Sequence, residues 1–290
     1  MAEDADFKNA VSIVRLPFQP PARDKVDVSP EWYETMVMIS QEPNFRYVAR
    51  GEGVDDTCDV MLMVGWMDGA KPSAAFASAG GSAGGSDSTS TGSSDLDTIF
   101  APLQPFISEK PRITTLSHRR NRASPRFLTT AFRGTLREPT KELLTVRGRA
   151  SLVEPAMKAI ATTFRGYIDY REAATFSGGS RKYLFNGAIL ASVDDNYDGS
   201  EGHDEQASYA FILTWSNRKG RTKFQDPTLP DLTLTPGMRS SEPFWQEEVE
   251  KPLQALVEQG ATISSWDYHK TDLVKGKDGL PILAKGETVW

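Results

Sequence analysis

Apolar and polar positions along the chain recur in a set order. Val60 to Met67 is a nearly unbroken apolar run that reaches Trp66, and Tyr209 to Trp215 is a second run of the same kind. Runs of this length bounded by turn-forming residues read as strands. Each is followed by a long polar stretch and then by apolar residues at helical spacing around a Pro-Leu-Gln triplet. In the first case these are Leu96, Ile99, Phe100, Leu103, Phe106 and Ile107; in the second, Trp245, Val249, Leu253, Leu256 and Val257. The tryptophans stand 149 residues apart (215 − 66) and the triplets 150 apart (252 − 102). Two features kept at one offset predict a duplication.

The remaining pattern fills out each half. Ala10 to Phe18 is apolar and β-branched, a first strand that stops at Pro20-Pro21. Ser29-Pro30 opens a helix, with serine as N-cap and proline at the first helical position, and Pro43 closes it. Phe45 to Val54 alternates as a strand should, and residues 68–94 are a low-complexity Gly/Ser/Ala/Thr insertion, expected to be flexible. Ser94 and Asp97 resemble a capping box for the helix of the first triplet, which Pro102 should interrupt. Arg126 to Phe132 is the expected last strand of this half.

In the second half, Leu143 to Ala150 reads as a strand, Ser151 and Glu154 as a capping box, and Leu152 to Ile168 as an amphipathic helix. Tyr183 to Val193 and Tyr209 to Trp215 are strands joined by an acidic loop. Residues 217–241 are irregular, and Ser241-Glu242-Pro243 opens a last helix that Gly260 ends. Ile263 to His269 closes the half, before a turn-rich tail. Each half therefore reads β-α-β-β-α-β, the ferredoxin-like order. The predicted class is α+β: tandem ferredoxin-like βαββαβ repeats, residues 1–138 and 139–290, packed sheet to sheet within one chain. Such a chain is expected as a monomer with an internal pseudo-dimer, or as a homodimer.

Composition narrows the function. The 290 residues carry a net charge of −6, which disfavours nucleic acid and anionic membrane surfaces as partners. A single cysteine, Cys58, allows no internal disulfide and suits a reducing compartment. The acidic start lacks the apolar core of a signal peptide, and no run of apolar residues is long enough to span a bilayer. A cytoplasmic protein is expected.

The strands ending in tryptophan (Leu62 to Trp66, Phe211 to Trp215), each followed by a proline-bearing amphipathic helix (Ile99 to Leu103, Trp245 to Leu253), resemble the dimeric α/β-barrel superfamily in its antibiotic-biosynthesis-monooxygenase-like branch. The likeness covers nearly the whole chain apart from the two loops and the tail. Tandem fused forms are similar to fungal proteins, some from secondary metabolism. The resemblance implies a small-molecule enzyme that needs no cofactor, an oxygenase or cyclase acting on an aromatic or polyketide-like substrate. The same fold also serves non-catalytic stress-response and ligand-binding proteins, and fold alone does not choose between them.

Candidate chemistry is sparse. Trp66 and Trp215 either stack on a planar substrate or fill the core at a strand end. In the closing strand, alternation puts Ile263, Ser265, Asp267 and His269 on one face and Trp266 and Tyr268 on the other. Asp267 with His269 is the candidate catalytic pair, histidine being the natural base near neutral pH, and Tyr268 a candidate substrate contact. The bland alternative is a solvated strand end. Arg15 and Arg147, each on the first strand of its half, would stabilise an enolate if they point inward and are ordinary surface charges if outward, the arrangement favoured for arginine. Asp194, Asn196, Asp198, Gly199 and Glu205 match the spacing of a calcium loop, but strands flank them and a solvated hairpin loop is the expectation; no metal site is assigned. Phosphate loops and zinc-type Cys/His sets are absent from the sequence. Haem would need a histidine ligand from His118, His203 or His269, and the basic run after His118 reads as a solvated loop.

Overall fold

The computed structural model describes residues 8–19, 29–53, 59–67, 70–77, 93–119, 140–175, 185–193, 206–215, 221, 222, 225 and 244–286. The calcium-like loop, Cys58, His203, residues 126–132 and the helix start at Ser241 lie outside them. The chain is mixed α+β with antiparallel strand pairing. It divides into two compact units, Met1–Arg133 with Val193–Ser200 and Lys270–Trp290, and Gly134–Ser192 with Glu201–His269.

The first unit contains β1 (Lys8–Pro17), α1 (Pro30–Ser40), β2 (Phe45–Gly53), β3 (Asp59–Trp66), the short α2 (Ala74–Ala77), α3 (Ser93–Phe100) and β4 (Arg112–Arg119). The sheet order is β4-β1-β3-β2. Ser29 caps α1 as its sequence implies, its side-chain oxygen accepting the Trp32 N–H at 3.1 Å. Trp32, Met36 and Ile39 then fall on one helical face and pack against Val14, Leu16, Val48, Leu62 and Val64 of the sheet. At Pro102 the α-helical bonding gives way to a 3-10 turn over Ala101–Phe106, because proline supplies no N–H to continue it.

Three features were not read from the sequence. The strand beside β1 is β4, whose Ile113 and Thr115 alternate inward with Ser117. Within the stretch taken for a flexible insertion, α2 buries Phe76 to 1 % exposure, against Trp66 at 5.1 Å and Phe100 at 6.4 Å. The tail, expected with the second half, groups with the first unit. Its Val274 N–H bonds to Val48 O and its Ala284 N–H to Arg46 O, so it lies along β2, and Val274 enters the core.

The second unit contains β5 (Thr140–Arg149), α4 (Ala150–Thr175), β6 (Phe185–Val193), β7 (Gln206–Trp215), a π-helical turn (Gln246–Glu250) running into α5 (Lys251–Glu258), and β8 (Thr262–Leu273). Its sheet order is β8-β5-β7-β6. Val153, Met157, Ile160 and Phe164 form one face of α4, and Val249, Leu253 and Leu256 the inner face of the last helix; both pack on Leu144, Val146, Phe211 and Leu213. Gly260 takes φ of 91° just past α5, a left-handed conformation that glycine adopts without a Cβ penalty. Since α4 begins at Ala150, Ser151 lies inside it rather than capping it.

Candidate functional site

At the end of the second sheet, charged groups stand where the first sheet has only hydroxyls. Cross-strand neighbours in an antiparallel sheet point to the same side. Glu142 of β5 is opposite Leu213 of β7 and Asp267 of β8, so its side chain enters the helix-covered face at the edge of the core. Glu142 is 2 % exposed. Its Oε2 accepts from Trp215 Nε1 at 3.2 Å, and its Oε1 from Ser265 Oγ at 2.7 Å and Arg221 Nη2 at 3.1 Å. A buried carboxylate is tolerable when donors surround it in this way.

Arg221 joins the two carboxylates. It pairs with Asp267 Oδ2 as well as with Glu142, and its Nε donates to Gln225 Oε1 at 3.1 Å. Gln246, the first residue of the π-helical turn, donates its amide to Gln225 O. Among the described residues, two buried acceptors of this network have no hydrogen-bond partner, Asp267 Oδ1 and Gln246 Oε1. The aromatic cluster abuts it: Trp215 and Trp245 meet edge-on at 5.6 Å, and Phe164 lies 6.4 Å from Trp245 and 6.1 Å from Phe244.

The corresponding place in the first unit is neutral and internally satisfied. Ser12 of β1 is opposite Val64 and Thr115, as Glu142 is opposite Leu213 and Asp267. Trp66 Nε1 donates to Ser12 Oγ at 3.0 Å, Ser12 and Thr115 share a hydrogen bond at 2.9 Å, and Thr115 reaches Phe76 O at 3.4 Å. Phe76 thus closes this end with its ring and its carbonyl.

Lys141 points the other way. Strand alternation puts it on the face away from the helices, opposite Thr214 of β7 and Tyr268 of β8. It is completely buried, and loss of water around the ammonium lowers its pKa from 10.5 to about 7.

Of the residues singled out in the sequence, Asp267 lies in the charged network. His269 follows two residues on along the same strand face, half-buried. Trp66 and Trp215 are buried to 1 % and 0 %, packed into the two cores with their indole N–H groups bonded. Tyr268 is buried on the other face, beside Lys141. Arg15 is half-buried and paired with Asp59, and Arg147 is exposed. Glu142, Arg221, Gln246 and Lys141 were not foreseen. A charged Lys-Glu pair leading into a strand resembles a solvated strand end, and Arg221 sits in a stretch with no periodicity. Among the described residues no three His, Cys, Asp or Glu side chains gather as a metal site would require, and no helix is long and apolar enough to cross a membrane.

No family model matches the chain, and no curated protein matches it. Among solved structures the chain is similar to an anthrone oxidase-like protein, at 9 % identity and TM-score 0.44, over 98 % of both chains. It is also similar to a protein assigned as a monooxygenase from Lactobacillus acidophilus, at 9 % identity and TM-score 0.37, over 90 % of this chain and 93 % of that one. A third, assigned as a monooxygenase from Fusobacterium nucleatum, has 6 % identity and TM-score 0.39, over 94 % and 96 %. Likeness at this level leaves the chemistry to the chain's own residues.

Proposed function

We propose that the chain is a duplicated ferredoxin-like protein whose second unit alone is the working half. In this reading it is a cofactor-independent oxygenase- or cyclase-type enzyme acting on a small aromatic or polyketide-like molecule. The observation that carries the reading is Asp267. One carboxylate oxygen is anchored by Arg221 while the other is buried and unbonded, in a network that also holds the Trp215 indole through Glu142. Such an oxygen is placed to accept a proton from an acidic C–H or O–H group. When it does, the carboxyl becomes neutral, and Arg221 is left to stabilise the new substrate anion. The stabilised carbanion then reacts with dioxygen, or adds to a carbonyl carbon of the same molecule to close a ring while the proton on Asp267 passes to the new oxygen anion, and neither step calls on a cofactor. His269, on the same strand face, is positioned as the second proton carrier.

The opposing reading is a ligand-binding protein without turnover. Trp215 and Trp245 favour it, since both are packed into the core beside the network.

Anthrone, an aromatic ketone with an acidic methylene, is a suitable probe. With one dioxygen it would give anthraquinone and water. The proposal expects oxygen uptake above the uncatalysed rate, lost in Asp267→Asn and kept in Thr115→Val. Uptake that is absent, or unchanged by Asp267→Asn, would remove the case for Asp267 as the base.

A further inference from the structure

We infer that Asp267 and Gln246 form a subsite with two open acceptors, which selects neutral ligands presenting two hydrogen-bond donors over anions. The inference rests on reading the second unit as the working half, but it does not require turnover.

Both unsatisfied groups of the network are acceptors, Asp267 Oδ1 and Gln246 Oε1. Neither is so by accident of orientation. Arg221 holds the other oxygen of Asp267, and the Gln246 amide nitrogen is committed to Gln225 O, which turns its oxygen away. Leaving a buried acceptor unbonded is costly, so two in one network indicate a missing donor partner. Arg221 directs three of its five N–H groups into the network. Arg221 serves Glu142, Asp267 and Gln225, while Trp215 and Ser265 serve Glu142. The two buried groups left without a partner are therefore both acceptors.

Charge points the same way. Glu142 and Asp267 against Arg221 leave the ionised network with one net negative charge in a place shielded from water, where like charges repel strongly. A carboxylate or phosphate ligand would add to that repulsion, whereas a hydroxyl or amide N–H would relieve the two orphan oxygens. The π-helical turn that begins at Gln246 supports a functional role, since such turns re-aim side chains and recur at functional sites. Among the described residues the matching place in the first unit leaves no such acceptor open, because Ser12, Thr115 and Phe76 O satisfy one another there.

The test is a matched ligand series on the intact wild-type protein near pH 6.5: phloroglucinol with three hydroxyls, its trimethyl ether with none, and trimesate with three carboxylates. Binding is followed by saturation-transfer NMR and isothermal titration. The inference expects phloroglucinol to bind at least about tenfold more tightly than the ether, the minimum for leaving buried acceptors unpaired, and trimesate not to bind. Gln246→Leu should reduce the preference for the hydroxyls over the ether. Equal binding of the ether, preferred binding of trimesate, or no binding of phloroglucinol overturns the inference. Donor-selective binding without oxygen uptake from anthrone would leave the subsite standing and remove the proposed reaction.

Discussion

Replacing Lys141 by methionine should stabilise the protein and remove most of its pH dependence above neutrality. The side chain is completely buried, and burial brings its pKa from 10.5 to about 7. In the unfolded chain the amine keeps its ordinary value. Between the two values the unfolded state binds more protons than the folded state, so stability rises with pH across this window. Above the upper value both states are neutral and the full stability is present. As pH falls toward 7 that stability is lost, and below 7 both states are protonated and the dependence ends. Each pH unit is worth about 1.4 kcal/mol, so the whole window amounts to roughly 5 kcal/mol. Methionine has similar length, no charge and a flexible shape that fills the same space. Urea unfolding of the wild type and Lys141→Met at intervals from pH 6 to pH 9.5 isolates this contribution, because other titrating groups are common to both. The difference in stability should favour the variant most at pH 7 and shrink by about 1.4 kcal/mol per unit as pH rises. A variant less stable than the wild type at pH 7, or a difference constant with pH, would refute the reasoning.

Other perturbations probe the remaining features. Arg221→Met leaves buried Glu142 and Asp267 without their shared cation and should cost about 3–5 kcal/mol in chemical denaturation; adding Glu142→Gln should recover part of it, and full additivity would mean that the groups do not communicate. Gly65→Ala would put a Cβ 2.2 Å from the Tyr47 ring, so the ring must be displaced and thermal stability should fall by several degrees; an unchanged melting temperature would argue against that packing. Phe76→Ala removes the ring that closes the first unit beside Trp66 and should cost about 3–5 kcal/mol, with a change in tryptophan fluorescence; a loss below about 1 kcal/mol would show that the ring is not the plug described.

The sequence is most transparent where local chemistry and burial agree. Ser29 and Pro30 begin α1, Pro102 interrupts the helix that carries it, and the tryptophan at the end of each apolar run lies in a core. It is opaque where a residue's meaning depends on a distant partner. Glu142 reads as a surface charge until Arg221, 79 residues on, is brought to it. Phe76 is a lone aromatic in a glycine- and serine-rich stretch, and only the Trp66 ring beside it gives it a place. Thr115 and Asp267 occupy matching positions opposite Ser12 and Glu142, yet nothing in their local sequence says that one closes a core and the other leaves an oxygen open. The tail follows the same rule, for its Val274 and Ala284 N–H groups bond to β2, more than two hundred residues back along the chain.

Native mass spectrometry of protein purified from its producing cells decides whether the second unit holds a small molecule through Asp267 while the first does not. The comparison is between wild type, Asp267→Ala and its first-unit counterpart Thr115→Ala, with circular dichroism to show that each variant is folded. A co-purifying small molecule is expected in the wild type and in Thr115→Ala and is expected to be missing from Asp267→Ala. A molecule retained in Asp267→Ala, lost from Thr115→Ala alone, or absent from all three proteins would contradict this expectation.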